Sequence, residues 1–131
     1  MAGAGVRIAS ICLIILFFTE AAAAQTRTVI AGKPFKLTSA ISTNPDCTSA
    51  GNPVIRVTAP PANGSVSIGR GSAFPYFPES NPRSVCNRRR VPATVATYVA
   101  RRGYTGWDSV SVEVIFPNGQ LRQESYSLMV R

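Results

Sequence analysis

Histidine is missing from the chain altogether, and acidic side chains are scarce: six Asp and Glu stand against 14 Lys and Arg. The first absence removes the commonest general base and the commonest zinc ligand. A Ser–His–Asp or Cys–His site is therefore impossible. The second absence restricts carboxylate chemistry to Asp46, Glu79, Asp108, Glu113 and Glu124 once the N-terminal segment is set aside, and no two of these share a recognisable motif. Counting alone leaves a glycosidase-type pair open, but Glu113 falls within an alternating stretch. Zinc on Cys47 and Cys86 would lack two further good ligands. Lys33 and Lys36 flank a strand in a polar context, and Gly69-Arg-Gly71 is too short for a phosphate loop. The chain reads as a non-enzyme, with no catalytic residue, metal, cofactor or small-molecule substrate expected.

Long hydrophobic runs are absent too. A membrane-spanning helix needs about 20 apolar residues, and the longest run, Ile8 to Phe18, has 11. One positive side chain, Arg7, precedes it, and Thr19, Glu20 and the alanines Ala21 to Ala24 follow. A charged start, a short apolar centre and a small-residue cleavage site predict a secretory signal peptide over residues 1–24. Cys12 lies inside the apolar run behind the bulky Ile11, the wrong context for lipid attachment, so it leaves with the signal. Residues 25–131 then form one exported domain, periplasmic or secreted, with no membrane span left.

Two cysteines survive cleavage, Cys47 and Cys86. An even number in an exported chain reads as a disulfide, and two allow a single connectivity. On the chain-entropy account, closing a loop of about 40 residues stabilises the fold by roughly 4 kcal/mol.

Sustained helical periods and internal repeats are also lacking, and alternation takes their place. The clearest strand is Asp108 to Phe116, with Val110, Val112, Val114 and Phe116 on one face and Ser109, Ser111 and Glu113 on the other. Pro117-Asn-Gly119 turns the chain, and Leu121 to Val130 returns with Tyr126, Leu128 and Val130 alternating. An Asn-Gly turn between alternating runs is a strong hairpin signal, since both residues tolerate positive φ. Shorter strands are expected over Arg27–Ile30, Phe35–Thr38, Pro53–Ala59, Ser65–Ile68 and Thr94–Val99. Ten prolines and ten glycines punctuate these runs as in a sandwich or barrel. Gly69–Val91, rich in proline and arginine, shows little periodicity and is expected as a long ordered loop held by the disulfide rather than by a ladder.

The motifs Pro61-Ala-Asn-Gly64-Ser-Val66, Tyr98-Val-Ala100, Gly103-Tyr-Thr-Gly106-Trp-Asp108-Ser-Val110 and Asn118-Gly119 together resemble bacterial immunoglobulin-like and cadherin-like modules. Ala100 stands where those modules usually have Pro, and Val110 where they have an aromatic. The resemblance implies an all-β, immunoglobulin-like sandwich of about seven strands, and no particular function. Gly103, Tyr104, Gly106, Trp107 and Asp108 would form its tight corner, with Asp108 accepting backbone N–H groups of that corner. The alternative role for Asp108 is calcium, as cadherin-like modules use. Calcium asks for six to eight oxygens, and the acids here are too dispersed to favour it.

What remains is positive charge. Eleven of the 13 cations in residues 25–131 are arginine, clustered as Arg88, Arg89 and Arg90 beside Cys86 and as Arg101 and Arg102 before the corner. Arginine's planar fork suits phosphate and carboxylate. Were the long loop to pack near the corner, the five would make one patch. A solvated face that keeps the domain soluble is the plainer reading; the functional one is docking to anionic cell-envelope material or to the acidic face of a partner protein. Nucleic acid is disfavoured by the export signal and by the proline-rich stretch between Phe74, Tyr76, Phe77 and Arg88. The leading expectation is a non-catalytic exported binding or structural module. The alternatives are a periplasmic inhibitor or chaperone-like partner of a single protein, and a small carboxylate hydrolase.

Overall fold

The computed structural model describes Gly3 and residues 23–131. The expected signal peptide over 1–24 lies almost wholly outside the described residues. Seven strands follow in order: β1 (Gln25–Val29), β2 (Pro34–Ala40), β3 (Val54–Ala59), β4 (Gly64–Ala73), β5 (Val91–Ala100), β6 (Gly106–Ile115) and β7 (Leu121–Val130), with a 3-10 helix, Pro82–Arg88, between β4 and β5. They make two sheets, one of order β1-β7-β6-β3 and one of order β2-β5-β4. All neighbours are antiparallel except β1, which runs parallel to β7. Among the described residues no helix is long and apolar enough to cross a membrane.

Period-two patterning builds the core. Val110, Val112 and Val114 of β6 and Tyr126, Leu128 and Val130 of β7 turn inward, as their alternation predicts, and meet Leu37, Ala96, Tyr98 and Ala100 from the other sheet. Each fully buried aliphatic side chain contributes about 1.5–3 kcal/mol. Ser109, Ser111, Ser125 and Ser127 face outward, where the hydroxyls of Ser111 and Ser125 hydrogen-bond across the ladder at 2.9 Å.

The hairpin between β6 and β7 turns over Pro117-Asn-Gly119, as expected, but Asn118 does not take the positive φ that its residue type allows. Gly119 N–H donates to the Phe116 carbonyl and Phe116 N–H to the Gln120 carbonyl, both at 2.9 Å, which makes a three-residue loop. Only Gly119 has positive φ, at 85°. Pro117 at the second turn position sets the first φ, and the left-handed glycine then restores the strand twist.

Gly69–Val91 is also corrected. Its first five residues are strand, because β4 runs on to Ala73 and pairs with β5 along its whole length. Val91 opens β5, and the residues between are irregular apart from the 3-10 helix. Asn81 caps that helix by accepting Arg83 N–H at 2.9 Å, and Pro82 sits in its first turn, where a missing N–H costs nothing. Cys47, in the β2–β3 connection, is bonded to the helix's Cys86 with Cα atoms 5.5 Å apart. A formed disulfide places the domain in an oxidising, non-cytoplasmic compartment.

Candidate functional site

Two places in the fold collect the residues the sequence singles out. The first is a buried polar node at Asp108, the second residue inward on β6 after Gly106. One carboxylate oxygen accepts the backbone N–H groups of Ala62 and Ser109, both at 2.9 Å; the other accepts Asn63 N–H at 3.0 Å and the Tyr98 hydroxyl at 2.7 Å. Asp108 is thus a turn aspartate, but not for its own corner. It ties the β3–β4 connection, some 45 residues earlier, to β5 and β6. Burial alone would raise its carboxyl, yet the Tyr98 hydroxyl and the three N–H donors outweigh that and hold it below the usual carboxylate range. Burial and the carboxylate beside it push the Tyr98 hydroxyl up.

Close packing at this node explains Gly64. A Cβ there would stand 2.6 Å from Cε2 of Tyr98 and 2.6 Å from the Val99 carbonyl oxygen. The Pro61–Val66, Tyr98 and Gly103–Val110 motifs, far apart in the chain, therefore meet at one point. Gly103 and Gly106 flank the corner with φ of 80° and 127°. Tyr104 leans on the core edge and donates to the Trp107 carbonyl at 2.6 Å, whereas Trp107 points outward, 57% exposed. With four donors already on its two oxygens, Asp108 has no lone pair aimed at an open cation site.

The second place is the cationic surface. β5 separates the two arginine clusters: Arg88, Arg89 and Arg90 precede its first residue, and Arg101 and Arg102 follow its last. At about 3.3 Å per residue the clusters lie on the order of 30 Å apart, at opposite ends of the sandwich. The single five-arginine patch is not formed, because the loop that carries Arg88 packs at the disulfide end and the corner at the other.

At the corner end, Arg101 donates to the Asn63 side chain at 3.1 Å and the stem of Arg102 lies over Gly32. The disulfide end is a more elaborate platform. Asn87 imitates a strand partner, accepting Phe77 N–H and donating to the Phe77 carbonyl, both at 2.9 Å. Arg83 Nε donates to the Thr43 carbonyl at 2.7 Å. Arg90 holds the Ser72 carbonyl at 3.2 Å and stacks over the Phe74 ring, 5.1 Å from its centroid. Phe74 thus sits beside an arginine 16 positions on, a closeness that the proline-rich spacing conceals. Arg88 and Arg89 extend from this frame, exposed, and Arg88 shares a shallow cleft with Glu79, Ser84, Val85 and Asn87.

The acids do not converge. Glu113 pairs with Arg56 and Glu124 with Arg122, each at 2.6 Å, Glu124 also accepts the Tyr126 hydroxyl, and Asp46 accepts the hydroxyl and N–H of Thr48. Those two donors hold the Asp46 carboxyl below its ordinary value. Among the described residues, the cleft beside Arg88 is lined by one acid, Glu79, and the clefts at Gly32, at Ile41 and at Val54 by none. No three of His, Cys, Asp and Glu come together among the described residues. Compared with protein-family models, with curated proteins and with solved structures, the chain matches none.

Proposed function

We propose that the chain is an exported, non-catalytic binding module of immunoglobulin-like build, which docks anionic cell-envelope material through Arg88, Arg89 and Arg90. The observation that carries this reading is the platform at the disulfide end. A cystine, a capped 3-10 helix and the Asn87 and Arg83 hydrogen bonds hold the loop, while the side chains of Arg88 and Arg89 form no ion pair among the described residues. Ordering the loop in advance lowers the entropy lost on binding, and guanidinium groups left without an ion-pair partner suit phosphate and carboxylate groups on extended polymers. Strand order supports the immunoglobulin-like description: β2-β5-β4 and β7-β6-β3 occupy the places of the B-E-D and G-F-C strands of that architecture. Cleavage after Ala24 would leave β1, which begins at Gln25, whole.

The test is retention on isolated envelope fractions across a salt series. The triple substitution Arg88→Ser, Arg89→Ser and Arg90→Ser should abolish salt-sensitive retention. Because the other cluster is on the order of 30 Å away, Arg101→Ser with Arg102→Ser should leave it nearly intact. Unchanged retention in the triple variant, or equal loss in both, removes the reading.

A further inference from the structure

Four strands lie at sheet edges: β1 and β3 in one sheet, β2 and β4 in the other. An uncovered edge offers unpaired N–H and C=O groups to any extended chain, and proteins blunt such edges with short strands, bulges, proline and inward charge. Three of the four are blunted here. β1 has five residues. β2 opens on Pro34, carries Lys36 and has a bulge between Lys36 and Thr38. β3 has six residues and a bulge between Val57 and Ala59. β4 alone runs ten residues with neither proline nor bulge and with one charge, Arg70.

The register shows which of its groups are free. Arg101 N–H donates to the Asn63 carbonyl at 2.8 Å, and Gly32 N–H donates to the Ala100 carbonyl at 2.9 Å. Alternation along an antiparallel ladder then directs Ser65, Ser67, Gly69 and Gly71 toward β5 and the backbones of Val66, Ile68 and Arg70 outward. Arg90 takes the Ser72 carbonyl and so closes one end of the row. Beside the free row runs a shallow cleft between β4 and β3, lined by Pro53, Val54, Ile55, Ile68, Arg70 and Thr94. Val54 and Ile68 are large apolar side chains left 53% and 42% exposed in it. Arg70 has no acidic partner among the described residues.

We infer that the outer edge of β4 is a strand-addition site for an extended segment of a partner protein, with an apolar side chain opposite Ile68 and an acidic one two residues away, opposite Arg70. Backbone hydrogen bonds to Val66, Ile68 and Arg70 supply the attachment, and the two alternate side chains supply the selectivity. Charge favours a foreign segment over a second copy. β4 has no acid to set against Arg70, and two chains of net charge +8 repel.

The probe is the blocked heptapeptide Thr-Glu-Thr-Val-Thr-Val-Thr, with Thr-Lys-Thr-Val-Thr-Val-Thr as its counterpart, added to the 15N-labelled protein. In the free protein the Val66, Ile68 and Arg70 amides should exchange quickly, and those of Ser65, Ser67 and Gly69 slowly. The Glu peptide should shift and protect the fast set. Arg70→Glu should reverse the preference between the peptides, by roughly fivefold or more for an exposed pair whose sign is inverted. Ile68→Pro removes an N–H that serves no bond within the fold and should abolish binding in a folded protein. Absence of shifts at these amides at millimolar peptide, or a preference that Arg70→Glu leaves unchanged, overturns the inference. Protection that rises with protein concentration alone, together with a dimer in sedimentation, overturns it in favour of self-pairing.

Discussion

At the scale of single residues, the node around Asp108 is where the fold is least forgiving. Gly64 packs against both a rigid ring and a backbone carbonyl, so a methyl group there cannot be absorbed by a side-chain rotation. Overpacking of this kind costs about 1–3 kcal/mol. Gly64→Ala should therefore lower the melting temperature by about 4–15 °C for a domain of this size, measurable by thermal circular dichroism. Asp108→Asn tests the other side of the node. Its amide would turn an NH2 group toward donors and leave the buried Tyr98 hydroxyl or part-buried N–H groups unpaired, costing about 1–3 kcal/mol at neutral pH. The pH dependence has a definite sign. Asp108 is held below its unfolded value, so its contribution is complete above pH ~4 and is lost as pH falls through the folded value. Denaturant midpoints of wild type and Asp108→Asn should differ most near pH 7 and converge toward pH 2. The slope left in the variant belongs in part to Asp46, shifted the same way.

At the scale of elements, what could be read in advance depended on how completely each strand is buried on one face. β6 and the second half of β7 alternate because each strand is central in its sheet and has a wet side. Their inward residues are therefore legible from the valines and from Tyr126, Leu128 and Val130, although β6 starts two residues before the expected Asp108 and stops at Ile115 rather than Phe116. β4 was legible only as far as Ile68. Beyond it the inward side opens onto the cleft with β3, no apolar residue is required, and Gly69-Arg-Gly-Ser gives no period. Its strand character comes from β5, which lies wholly outside that local window. The same limit applies to the candidate site. Asp108 and the glycines of the motifs are identifiable as turn residues, and Tyr98 as a strand residue. That Asp108 serves the β3–β4 turn rather than its own corner depends on which strands face each other across the sandwich. Likewise the two arginine clusters stand 11 positions apart, and only a fully extended β5 turns that interval into the length of the molecule.

At the scale of the whole molecule, the disulfide and the core do separate jobs. The core lies between the sheets, centred on β5, β6 and β7. Cys47 and Cys86 instead join the β2–β3 connection to the 3-10 helix at one end. Replacing both cysteines by serine returns entropy to the unfolded chain, about 4 kcal/mol for a 39-residue separation on the chain-entropy account. It also frees the segment that presents Arg88 and Arg89, whose remaining ties are the Asn87, Arg83 and Arg90 hydrogen bonds. Loss should therefore be uneven. Amide exchange should quicken most over residues 74–90, while the β6–β7 hairpin keeps the slowest amides in the protein. Envelope retention through Arg88–Arg90 should weaken under conditions where circular dichroism still shows the folded sandwich, because the platform loses its order before the sheets lose theirs. Uniform acceleration across β5, β6 and β7 together with residues 74–90 would mean that platform and sandwich are one cooperative unit, and that the arginine end is no separable docking element.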